Sequence, residues 1–193
     1  MWWVELLNVI SGVHGAPTPP VTNSYESIST VTVGAGGASS IDFTSIPSTY
    51  KHLQIRGIGK SNRGTFVKDD IAIQVNADTG SNYSWHVLNG NGSTVTASAG
   101  TSATSVAMWD YLGTSVTFDK YGAFVIDLLD YANTSKYKTI RGLGGTDANG
   151  SGAIGFNSGL WMSTSAISSI KLYSGTSSTI QQYSSFALYG IKG

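Results

Sequence analysis

Residues 122–130 read Gly-Ala-Phe-Val-Ile-Asp-Leu-Leu-Asp, the most apolar run of the chain beyond its N-terminal segment. Its branched and aromatic side chains favour an extended backbone. Successive side chains of a strand point to opposite faces. Phe124, Ile126 and Leu128 therefore share one face, and Val125 and Leu129 share the other. An antiparallel strand with one wet face alternates apolar with polar residues. Here both faces are apolar, so something covers the second. Residues 183–191 repeat the pattern, with Phe186 and Leu188 on one face and Ala187, Tyr189 and Ile191 on the other. Val125, Leu129, Ala187, Tyr189 and Ile191 are expected to form a subunit interface, in a homotrimer. A flap from the N-terminal segment is the local alternative.

Working outward, strand signals recur between turn signals along residues 21–193. Residues 28–33 are almost all β-branched and end at the glycines of 34–37. Further strands are expected at 41–43, 50–58, 70–77, 83–88, 102–111, 137–143, 153–162 and 167–173. The connections carry Asn-Gly, Asp-Ala-Asn-Gly and Ser-Gly-Thr, which suit hairpin and turn geometry. About ten strands at short intervals predict an all-β fold, a jelly-roll-type antiparallel β-sandwich, with an immunoglobulin-type sandwich second. No repeat of fixed period argues for a propeller or solenoid.

Residues 1–20 differ. Trp3, Leu6, Leu7 and Ile10 fall on one helical stripe, which Trp2 and Val9 widen. Gly12 and Gly15 end it, and Pro17, Pro19 and Pro20 make a stiff connector. A signal peptide would carry a basic leader before its apolar stretch; here Glu5 interrupts the stretch. About ten residues is half a membrane span. The expectation is a docking segment that anchors the β domain to a partner through Trp2, Trp3, Leu6, Leu7 and Ile10. Folding back onto its own domain is the competing outcome.

Composition narrows the function. Eleven Lys and Arg balance eleven Asp and Glu, and charged residues are 11% of 193, less than half the usual share of about 25%. The missing charge is replaced by 28 Ser and 20 Thr. With no basic excess there is no footprint for nucleic acid. Cys is absent, which excludes disulfides and thiolate metal sites. A neutral hydroxyl-rich surface repels its own copies weakly and suits an assembly.

A search for chemistry finds little. His14 lies in the connector, and His52 and His86 sit among polar strand neighbours. Glu occurs only at Glu5 and Glu26, too sparse for a glycosidase pair. Asp127 and Asp130 fit a strand end. Gly57, Gly59, Lys60 and Ser61 resemble the end of a phosphate loop but lack its first glycine and its helix. Asp147, Asn149, Ser151 and Gly152 match half a calcium loop, with Ser158 where the closing Glu belongs. Trp85, Trp109 and Trp161 suit either sugar stacking or core packing, and core packing is preferred. No catalytic residue, metal or cofactor is expected, and neither is membrane insertion.

Three stretches carry a family resemblance: SYESISTVTVGAGGASSIDFTSIPSTYKHLQIRG (24–57), GAFVIDLLDYANTSKYKTIRGLGG (122–145) and YSSFALYGIKG (183–193). They resemble small virion-associated proteins of tailed bacteriophages, especially marine and cyanobacterial ones. The resemblance spans about residues 24–193. It implies a trimeric, non-enzymatic β-sandwich on the virion, as a tail-fibre or collar component or a capsid decoration, with other virion proteins as partners. The rival expectation is a carbohydrate-binding adhesion module that recognises a host-surface glycan.

Overall fold

The computed structural model describes residues 24–64, 66–114 and 120–193. Trp2, Trp3, Leu6, Leu7 and Ile10 lie outside the described residues. The fold is all-β: twelve strands and no helix among the described residues. They are β1 (Tyr25–Thr32), β2 (Ile41–Phe43), β3 (His52–Ser61), β4 (Lys68–Val75), β5 (Tyr83–Gly90) and β6 (Val95–Ala103), then β7 (Val106–Thr114), β8 (Gly122–Leu129), β9 (Lys138–Asp147), β10 (Gly152–Trp161), β11 (Ile170–Ser174) and β12 (Ser185–Ile191).

Hydrogen bonding sorts the strands into two sets. The larger runs β1-β12-β3-β8-β9-β10-β5-β6, and the smaller runs β2-β11-β4-β7. All pairs are antiparallel except one. At one corner the end of β3 meets the end of β7 in parallel, Lys60 beside Gly113 and Ser61 beside Thr114, and this joins the two sets. Eight strands pair in a nested order: β1 with β12, β2 with β11, β3 with β8 and β4 with β7. Two hairpins, β5-β6 and β9-β10, extend the larger set on the far side of β8.

The core lies between the sets. Leu53, Ile55, Ile126 and Leu128 from the larger set meet Ile71, Ile73, Leu172 and Phe43 from the smaller in one cluster, all nearly or fully buried. Each such side chain removed from water stabilises the fold by about 1.5–3 kcal/mol before ordering costs. Three buried tyrosines each find a polar partner, as a phenol in a core requires. The Tyr83 hydroxyl donates to the Asp78 carbonyl (3.0 Å), Tyr111 accepts from the Asn157 amide (3.0 Å), and Tyr131 donates to the Pro47 carbonyl. Buried Lys138 donates to the carbonyls of Asn133, Lys136 and Thr164, pinning two loops together.

Strand β7 shapes the extension. A bulge opposite Asp70 breaks its pairing with β4, and Asp110 takes a positive φ of 64° there. A bulge bends its strand. Beyond it Tyr111 lies over Gly142 and Gly144 of β9, and the Trp109 carbonyl and Val106 lie over Gly155 and Gly159 of β10. Those four positions are glycine because another strand occupies the space a side chain would fill.

Candidate association face

The outward side of the larger set is where apolar residues collect. The register aligns Ala187, Arg56, Val125, Leu143, Phe156, Leu88 and Ala97 in one row across seven strands. The adjacent outward row runs Ser185, Ile58, Ala123, Gly145, Ile154, Gly90 and Val95. Rows on neighbouring strands are about 4.8 Å apart at each step, so these residues form a continuous band. Ile58, Leu88, Leu143, Ile154 and Phe156 are each 48–60% exposed, and Val95 is 71% exposed. Contiguous open apolar surface of this kind marks an interaction site in a soluble protein. A shallow hollow of about 850 Å³ lies along it, bounded by Ala123, Val125, Leu143, Ile154 and the 150–152 turn.

A polar row borders the band. Tyr189, Gln54, Asp127, Arg141, Ser158 and His86 align there. The Gln54 amide donates to Asp127 (2.8 Å), and Arg56 Nε donates to Gln54 (2.8 Å). The Arg56 guanidinium stands 5.4 Å from the rings of both Tyr25 and Tyr189, a cation–π pairing that shields both aromatic faces.

All five residues expected at an interface are half-buried and on the outward side, opposite Phe124, Ile126, Leu128, Phe186 and Leu188. The fold brings Val125 and Ala187 into the apolar band. It leaves Tyr189 in the polar row, with Leu129 and Ile191 beyond it. The larger part of the band, Ile58, Leu88, Leu143, Ile154 and Phe156, was not assigned to it from the sequence. The available signal was the glycine parity in β9 and β10: where the inward positions are Gly142, Gly144, Gly155 and Gly159, the bulky residues between them face outward.

Most of the other polar groups singled out above have structural partners. Asp69 is fully buried, and its carboxylate accepts from Ser61 (2.6 Å), Ser174 (2.8 Å), Thr176 (2.9 Å) and the Asp70 backbone N–H (2.8 Å). That network ties β3, β4 and β11. Asp110 accepts from Lys68 Nζ (2.7 Å) and Asn89 (2.6 Å). Burial pushes the Asp70 carboxyl above the usual range, against the Asp110 backbone N–H that it accepts at 2.9 Å. Asp130 is held down to about 2 by hydrogen bonds from Lys136 and then Lys51, and its backbone N–H donates to His52 Nδ1 (2.9 Å). His86 is exposed on β5, and Glu26 pairs with Lys192 at 3.1 Å. Trp161 is buried and donates to Asp78 (2.7 Å). Trp85 packs on Gly100 and tilts against Trp109 with centroids 5.7 Å apart. The Asp147 loop is the β9-β10 turn, in which the Asp147 side chain accepts from the Asn149 N–H at 2.8 Å. The 57–61 stretch is the second half of β3. Among the described residues no group of three acidic, His or Cys side chains is placed to hold a metal.

No protein-family model matches the chain, and neither a curated protein nor a solved structure matches it.

Proposed function

We propose that this chain is a non-enzymatic structural component of a tailed-phage virion, a jelly-roll module that packs against copies of itself. The observation that carries the reading is the open apolar band across the larger set of strands, on a chain with no net charge. The nested pairing of eight strands supports the jelly-roll assignment, because such a fold is one long antiparallel hairpin rolled into two facing sheets. On this reading β5-β6 and β9-β10 are insertions that widen the association face. Threefold packing buries Val125, Ala187, Leu143 and Ile154 against neighbours. Residues 1–20 tie the assembly to the particle, with several copies acting together by avidity. The three sequence stretches that resemble phage virion proteins supply the setting.

The test is made on particles. Density-gradient-purified virions should carry the chain at a fixed copy number. The double variant Trp3→Asp, Leu7→Asp should lose incorporation, since an unpaired carboxylate resists burial. Absence from purified particles, or normal incorporation of the variant, overturns the reading.

A further inference from the structure

The free edges of the two sets are not equally protected. An edge strand presents unpaired backbone groups to any passing strand, and soluble proteins blunt it with brevity, charge, proline or a bulge. Edge strand β2 has three residues. Edge strand β1 carries Glu26, ion-paired to Lys192, and a bulge between Ser27 and Ser29. Strand β6 has none of these along most of its length. It is nine residues long, reads Val-Thr-Ala-Ser-Ala-Gly-Thr-Ser-Ala, and among the described residues pairs only with β5. Its irregularity falls at the far end, where the register slips near Thr101 and Ser102 takes a φ of 51°. Residues 95–100 are regular and uncharged, and among the described residues no strand pairs with their outer edge.

We infer that β6 is a second self-association site, pairing antiparallel with β6 of another copy across a twofold axis centred on Ser98. The occupant follows from the sequence of the edge. Antiparallel pairing of identical strands sets each residue against its mirror position, as a twofold contact requires. About Ser98 the segment 95–101 is nearly palindromic: Ala97 meets Ala99, Thr96 meets Gly100 and Val95 meets Thr101. Every opposed pair is small and uncharged, so no clash or like-charge contact arises on either face. The outward residues Val95 and Leu88, 71% and 52% exposed, flank the seam and gain cover. The joined sheets would run through sixteen strands, twice the eight of the larger set. This contact uses the edge, whereas the proposed threefold packing uses the face. The two together build a hexamer or a lattice in place of a closed trimer.

The chain has no cysteine, so a single introduced thiol reports one contact. In the full chain, Ser98→Cys should give a disulfide-linked dimer under mild oxidation, because directly opposed residues stand about 4.5–5.5 Å apart, within disulfide reach. Ser158→Cys, in the polar row of the outward face, serves as the comparison and should cross-link poorly. Adding Ala97→Lys to Ser98→Cys should cut the cross-link by about tenfold or more, with far-UV circular dichroism and melting unchanged. No cross-link at Ser98 overturns the inference, and so does a cross-link that Ala97→Lys leaves intact. A missing cross-link in a chain that still assembles in threes defeats the edge contact alone. A robust Ser98 cross-link in a chain that never assembles in threes defeats the face contact alone.

Discussion

Asp130 and Asp70, in opposite surroundings, contribute to the acid response with opposite signs. Asp130 sits between Lys136 and Lys51, and its folded carboxyl titrates near 2, below its ordinary value of 3.8. A depressed folded value stabilises the fold above the unfolded pKa and loses that contribution as pH falls through the folded one. Melting temperature should therefore drop between about pH 4 and pH 2, and Asp130→Asn should flatten that limb in a pH-resolved melt. Asp70 is the reverse case. Burial raises its carboxyl above 3.8, so the charged form is disfavoured in the fold and this group's contribution worsens as pH rises through the shifted value. Asp70→Asn keeps an oxygen to accept the Asp110 N–H. It should raise the melting temperature at pH 7 and lose that advantage at pH 3. If the variant is less stable at pH 7 but not at pH 3, where the native carboxyl is already neutral, the bulge in β7 depends on the charge itself.

At the scale of elements, the packing of β7 on β9 and β10 sets the fold's extension. A methyl at Gly155 would stand 2.6 Å from the Trp109 carbonyl oxygen, a backbone atom with no room to yield. Gly155→Ala should cost about 1–3 kcal/mol, as overpacking does, and lower the melting temperature by about 2–4 °C for each kcal/mol. Ala at Gly64, which meets nothing, is the neutral comparison. The same strands show what a sequence does and does not disclose. Strands β3, β4, β8 and β12 were legible because Leu53 and Ile55, Ile71, Ile73 and Val75, Phe124, Ile126 and Leu128, and Phe186 and Leu188 recur at every second position and face one core. In the middle of β9 and β10, Leu143, Ile154 and Phe156 face solvent and the glycines between them face in, while Ile140 and Trp161 toward the strands' other ends stay in the core. Period alone does not choose the face; the crossing strand does, and the spacing of Gly142, Gly144, Gly155 and Gly159 is its one local trace in 138–161. Strand β6 was invisible for a different reason. With its outward face exposed and its inward face only half-covered it shows no apolar period, and its extended form comes from hairpin pairing with β5. Strand β7 begins at Val106 and not at 102, because β6 occupies the residues up to Ala103.

For the whole molecule, neutrality and the outward band act together. In the proposed assembly a net charge of zero removes long-range repulsion between copies, and the band would supply the short-range attraction, at roughly 25 cal/mol for each Å² of apolar surface removed from water. The most direct test of this account is sedimentation equilibrium of the full chain beside the double variant Val125→Lys, Leu143→Lys. Both substitutions lie on the outward face and leave the core untouched. The native chain should sediment as a multiple of three chains of 20.2 kDa. The variant should keep its circular dichroism and fall to one chain, or to two where the β6 edges remain joined. A native chain that stays at 20.2 kDa across the micromolar range, or a variant that still assembles in threes, would contradict it.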